Sequence, residues 1–93
     1  IIKRNNVDPL WHLYPIFVND RARIFNELKK KGIGVQVNYV PTYKHPVFVN
    51  RGYEVTQLEG NEKFYREEIS LPMYTGLTEE MLLQVSNSVI HSL

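Results

Sequence analysis

What most constrains this chain is one run of alternating residues that starts at a glycine and ends in a loop. In "KKKGIGVQVNYVPTYKHPVF", residues 29–48, Ile33, Val35, Val37 and Tyr39 alternate with Gly34, Gln36, Asn38 and Val40. That period predicts a strand with one buried face, and such a strand needs apolar cover. With Ile33, Val35, Val37 and Tyr39 turned to the cover, Gln36 and Asn38 face the other way and give the sheet an amide-bearing outer side. The loop that leaves the strand is crowded with Tyr43, His45 and two prolines, Pro41 and Pro46.

Two helical segments supply the cover. In "DRARIFNELKKK", Asn19 or Asp20 can act as N-cap, and Ala22, Phe25 and Leu28 share a face with Ile24 beside them. Lys29, Lys30 and Lys31 close its last turn, where the helix dipole favours positive charge, and Gly32 is the expected stop. Near the other end, Thr78 caps "EEMLLQVSNSVIHSL", with Glu79 and Glu80 in the first turn. Its apolar stripe runs through Leu82, Val85, Val89 and Leu93, widened by Met81 and Ile90. Two further strands are expected. "LWHLYPIFV", residues 10–18, contains Pro15, which cannot donate to a ladder and points to an edge or an irregularity. "EISLPM" places Ile69, Leu71 and Met73 on one side. Residues 41–68 read as a long irregular stretch with one short helical candidate around Glu62–Arg66. The expected architecture is α+β: a small, largely antiparallel sheet of about three strands with two main helices on one face.

Size and charge exclude several classes of function. Ninety-three residues with 43% apolar content suit one domain, residues 1–93, with one modest core. Cysteine is absent, which removes disulfides and thiolate metal sites and favours a reducing, cytoplasmic setting. The three histidines follow no zinc spacing. A net charge of +1, with both signs interleaved, leaves no footprint for nucleic acid or anionic membrane, and no apolar run has the length of a membrane span. The opening "IIKRNN" has no initiating Met, and aromatic residues lie where a small core would not use them. Both features lead us to expect a piece of a longer protein, with surfaces that pack on something else.

Of the chemistry-bearing residues, Asn38, Tyr39, Tyr43 and His45 form the densest polar and aromatic group. They could wall a pocket for a hydroxylated substrate, with His45 titratable, or simply fold the loop over its own aromatics. Every lysine lies in a polar context, so none is expected to carry a Schiff base, which wants a desolvated pocket. Glu67 and Glu68 point to opposite sides of a strand and are expected to be a surface pair. Trp11 is expected in the core, and His12 is open between packing and a partner surface. No catalytic residue, cofactor-binding residue or metal ligand is expected in this chain.

The ordered runs "WHLYPIFV", "DRARIFNELKKKGIGVQVNYVPTYKHPVF" and "EISLPMYTGLTEEM" resemble the C-terminal part of the DegT/DnrJ-type sugar-nucleotide aminotransferases. Gly32 to Val35, Val37 to Pro41, His45-Pro46, Glu62, Ser70 to Tyr74 and Leu77 to Glu80 carry the likeness. Within the family, "GIGVQVNYVPTYKHPVF" and "EISLPMY" look most like the branch serving pseudaminic acid biosynthesis. The family commonly has His where this chain has Asn38; an amide can position a hydroxyl or phosphate but cannot shuttle a proton.

The resemblance implies the small C-terminal domain of a pyridoxal-phosphate enzyme of the aspartate-aminotransferase fold type. The parent would move the amino group of glutamate to the 4-keto carbon of a nucleotide-linked sugar. The cofactor and its lysine would belong to a large domain outside this chain, and the parent would be a homodimer. Asn38, Tyr39, Tyr43 and His45 would then be substrate-binding, or would serve subunit packing. The alternative, from the residues alone, is a stand-alone α+β binding or dimerisation module without catalytic activity.

Overall fold

The computed structural model of the chain describes residues 5–53 and 58–93. Strand β1 (Tyr14–Phe17) pairs antiparallel with β2 (Glu68–Leu71), in a register that sets Pro15 opposite Ser70 and Ile16 opposite Ile69. On the other side of β2, Gln36 and Ser70 exchange both backbone hydrogen bonds, at 3.1 and 2.8 Å. Ser70 thus spends its N–H away from β1, so its pairing with Pro15 is the non-bonded kind and the proline's missing donor costs nothing there. The edge position expected from Pro15 is what the sheet shows among the described residues.

The α+β class stands, but the predicted strand over residues 33–40 shrinks to this one bridge. The register explains why. Antiparallel pairing at 36 and 70 puts the next hydrogen-bonded pairs at 34 with 72 and at 38 with 68. Residue 72 is a proline and has no N–H to give. At the other end, the Asn38 N–H turns to the side chain of Glu68 instead of a main-chain carbonyl. Val35 spends its own N–H locally, on the Ile33 carbonyl. The ladder therefore stops on both sides of Gln36.

Helix α1 (Arg21–Lys30) begins at Asp20, whose carboxylate accepts the Arg23 N–H, and ends before Gly32 at φ 77°. Ile24 and Leu28 are its buried residues; Ala22, expected on that face, is exposed. The expected irregular stretch is more ordered than foreseen: a short 3-10 turn (Thr42–Lys44), a single-turn helix α2 (Pro46–Val49) and helix α3 (Glu59–Glu67). Phe64 of α3 meets Phe17 of β1 edge to face at 5.3 Å. Helix α4 (Glu79–Ile90) starts at Thr78, whose hydroxyl accepts the Met81 N–H. The core consists of Val18, Ile24, Leu28, Ile33, Val35 and Ile69, and α4 adds only half-buried Val85 and Val89 to it. Lys31 reaches from the end of α1 to the Ser88 carbonyl and the Ser92 hydroxyl, tying the two helices together.

Several side chains lie where the alternation did not put them. Trp11 is 50% exposed, because pairing begins only at Tyr14 and nothing packs the segment before it into the core. In the 33–40 segment the alternation holds through Gln36 and then inverts: Asn38 is buried and Tyr39 is 69% exposed. Leu82, Leu83 and Ile90 of α4 are exposed as well. The radius of gyration is 15.8 Å, against about 12 Å for a compact domain of this length. This spread form leaves much apolar surface uncovered.

Truncating the shared centre should be costly. Ile69→Ala or Leu28→Ala is expected to lower unfolding stability by about 2–5 kcal/mol, whereas Ala22→Ser should change it by less than about 0.5 kcal/mol. Urea unfolding of the variants measures both.

Candidate functional site

Strand β2 organises a cleft with several polar side chains in its wall. Ile69 points into the core, so its neighbours Glu68 and Ser70 point to the opposite side, toward the segment that carries Gln36 and Asn38. There a cleft of about 450 Å³ is walled by Gln36, Asn38, Ser70, Met73 and Tyr74, with His12 at its edge. Two of its lining residues, Asn38 and Ser70, are bonded to one buried carboxyl group. Glu68 is 0% exposed; it accepts the Asn38 backbone N–H at 2.9 Å and the Ser70 hydroxyl at 2.5 Å, one on each oxygen. Glu68 is therefore no surface carboxylate. Burial on a central strand, with two donors supplied at its two oxygens, replaces the solvent the sequence reading had assumed. Asn38 is 8% exposed, and its amide nitrogen is enclosed without a hydrogen-bond partner. The Asn38–Tyr39 peptide bond is cis.

The loop that follows forms a second polar group. The Tyr43 hydroxyl donates to Glu62 at 2.8 Å, and Lys44 pairs with the other oxygen of Glu62 at 2.6 Å. Lys44 and Arg21 also lie against the ring of Tyr65. This cluster fastens the 3-10 turn to α3. Lys44 and Tyr43 hold the Glu62 carboxyl below its ordinary value, with the Lys44 bond the larger cause. Desolvation, and then Glu62 itself, push the Tyr43 phenol above its ordinary value.

Of the four residues singled out from sequence, only Asn38 lines the cleft. Tyr39 is exposed beside it, Tyr43 is turned to Glu62, and His45 is exposed where its carbonyl starts α2. Glu68 and Ser70 were missed as functional candidates. Their signal was present in the spacing: with Ile69 and Leu71 turned inward, 68 and 70 share the face that meets Gln36 and Asn38. His12, left open from sequence, lies at the cleft.

A second, apolar groove of about 600 Å³ runs between β1 and α4, lined by Tyr14, Ile16, Leu71, Leu82, Leu83 and Ile90. Among the described residues no helix is long and apolar enough to cross a membrane, and no group of acidic and histidine side chains could hold a metal ion.

The family model for the DegT/DnrJ/EryC1/StrS aminotransferases matches residues 2–90. This chain belongs to that family. It is 33% identical over 84 residues to the UDP-4-amino-4,6-dideoxy-N-acetyl-beta-L-altrosamine transaminase of Helicobacter pylori, a match that covers 85% of this chain and 22% of that protein. Among solved structures it resembles Helicobacter pylori PseC, an aminotransferase of pseudoaminic acid biosynthesis, with a TM-score of 0.79 and 32% identity over 87% of this chain and 23% of that one. It also resembles S. venezuelae DesV, with a TM-score of 0.85 and 26% identity over 97% of this chain and 24% of that one. The chain thus spans about a quarter of the length of the relatives it matches.

Does this chain offer a seat for pyridoxal phosphate? The described lysines do not fit one. Lys29, Lys30, Lys31, Lys44 and Lys63 are all exposed, and Lys31 and Lys44 are already bonded to Ser92 and Glu62. A Schiff-base lysine needs a desolvated pocket that depresses its pKa. Lys3 lies outside the described residues.

The Tyr43–Glu62–Lys44 cluster has a pH signature. The folded-state pKa of Glu62 is lowered, so its contribution is complete above the ordinary carboxylate range and is lost as the pH falls through the lowered value. The Tyr43 phenol, raised, should titrate above the ordinary tyrosine range, and Glu62→Gln should bring it down. Nuclear magnetic resonance of ring-labelled tyrosine across pH measures this; an unchanged Tyr43 titration in the variant would contradict the contact.

Proposed function

We propose that this chain is the small C-terminal domain of a pyridoxal-phosphate-dependent sugar-nucleotide aminotransferase, and that its polar cleft forms part of the substrate pocket. The family match across residues 2–90 carries the reading. The parent enzyme transfers the amino group of glutamate to the 4-keto carbon of a nucleotide-linked sugar, in the cytoplasm and as a homodimer. The similarity to the Helicobacter pylori transaminase supports a place in pseudaminic acid biosynthesis.

Pyridoxal phosphate, seated outside this chain, supplies the electron sink for moving the amino group. The chain's own residues bind and orient the sugar. Asn38 supplies an amide that can hold an oxygen in one position, and Gln36 offers a second amide at the open side of the cleft. Neither can act as a proton donor in catalysis. Tyr39 and His45, exposed at the rim of the same segment, extend this wall or meet the partner subunit; Tyr43 holds the loop in place through Glu62. The apolar groove along α4 packs against the rest of the parent enzyme.

The test is an assay of the full-length protein with glutamate, pyridoxal phosphate and 4-keto sugar nucleotides. The expected result is a 4-amino sugar nucleotide with 2-oxoglutarate as co-product. Failure to aminate any keto sugar nucleotide would contradict the proposal. The 93-residue chain by itself should neither transaminate nor give a specific, saturable cofactor absorbance. In the full-length enzyme His45→Ala should weaken turnover while leaving the cofactor bound; unchanged kinetics would reduce that residue to packing.

A further inference from the structure

Among the described residues Glu68 is the one buried ionisable side chain, and no cation pairs with it. A carboxylate removed from water without a counter-charge is costly unless both oxygens are bonded. Both are, and the two donors belong to residues that line the cleft. Ser70, two residues along the same strand, fixes one oxygen. The other takes the backbone N–H of Asn38 at the position where the β ladder would have placed a main-chain carbonyl. The carboxylate thus stands in for a rung of the sheet.

Asn38 depends on that rung. Its side-chain nitrogen has no partner, so the bond from its own main chain to Glu68 is what anchors it. An enclosed amide N–H left unpaired is destabilising, a cost an incoming oxygen acceptor can relieve. Among the described residues no lysine or arginine lines the cleft, so the acceptor that suits the position is neutral, a hydroxyl or carbonyl oxygen.

We propose that Glu68 is a positioning residue that sets Asn38 to receive a neutral oxygen of the sugar, not the diphosphate, of the nucleotide-linked substrate. The proposal rests on the sugar-nucleotide aminotransferase reading above. It adds a residue that touches no substrate itself, and it assigns the part of the substrate that Asn38 meets.

The experiment uses the full-length protein and the variants Asn38→Ala, Glu68→Ala, Glu68→Asp, Glu68→Gln and the Asn38→Ala/Glu68→Ala pair. Loss of one such hydrogen bond should raise KM for a UDP-linked 4-keto sugar roughly five- to tenfold with kcat changed less than about twofold. Asn38→Ala and Glu68→Ala should share this effect, and the pair should be no worse than either single change. Glu68→Asp keeps a carboxyl group but withdraws its reach, so it should behave like Glu68→Ala even where the latter is poorly soluble. Glu68→Gln keeps an acceptor for the Asn38 N–H and should restore most of the affinity. Inhibition by UDP alone should be unchanged throughout. Hydrogen exchange over residues 36–41, read by mass spectrometry, should show the Asn38 amide losing protection in Glu68→Ala and retaining it in Glu68→Gln.

Unchanged exchange in Glu68→Ala would overturn the clamp. Additive kinetic effects, or a fall in stability with KM unchanged, would reduce Glu68 to a structural group. Weakened UDP inhibition would place Asn38 at the diphosphate and overturn the assignment to the sugar. If the unmutated protein aminates no keto sugar nucleotide, the substrate role falls with the proposed function, and the exchange measurement still decides the clamp.

Discussion

A carboxylate enclosed by protein must find its hydrogen bonds among the groups the fold delivers, and the arrangement of this chain turns on Glu68 doing so. Glu68 occupies the strand that pairs with β1 on one side and with Gln36 on the other. Its oxygens take the Ser70 hydroxyl and the Asn38 N–H, so one side chain joins the central strand to the segment that supplies the cleft wall. The same bond ends the ladder at Asn38 and releases the chain into the loop that carries Tyr43 and His45. Pro72 ends it on the opposite side by withholding an N–H. A sheet limited in this way leaves its polar edge open as a cleft.

Much of this was legible in the sequence, because local rules decided it. Asp20 and Thr78 cap their helices, Gly32 ends α1 in the left-handed region, and Pro15 lies on an edge strand, all for reasons contained in a few neighbouring residues. The failures have a common cause, which is contact across long sequence separation. Nothing near Glu68 in the chain announces that Asn38 will donate to it from thirty residues away. The alternation of residues 33–40 predicts a full strand because periodicity reports which side a residue faces, not whether a partner carbonyl is there to receive its N–H. Asn38, which the same alternation assigns to an outer face, is buried. Trp11, expected in the core, is exposed because the pairing that would carry it inward begins only at Tyr14.

The exposed apolar side of α4 belongs to the same picture. Leu82, Leu83 and Ile90 border the groove that opens toward β1, while only Val85 and Val89 reach the core. Such a surface is of the kind that marks a contact site, and the chain spans about a quarter of the length of the relatives it matches. The polar cleft and the apolar groove share Leu71, Pro72 and Met73 as a common wall. Packing along the groove would therefore bear directly on the residues that frame the cleft.

The most direct measurement is a crystal structure of the intact protein with a sugar nucleotide bound. The account predicts a hydroxyl or carbonyl oxygen of the sugar within about 3 Å of the Asn38 amide, with Glu68 still accepting the Asn38 N–H. A diphosphate oxygen at that place, or an Asn38 amide bonded to another part of the protein with the sugar elsewhere, would contradict it.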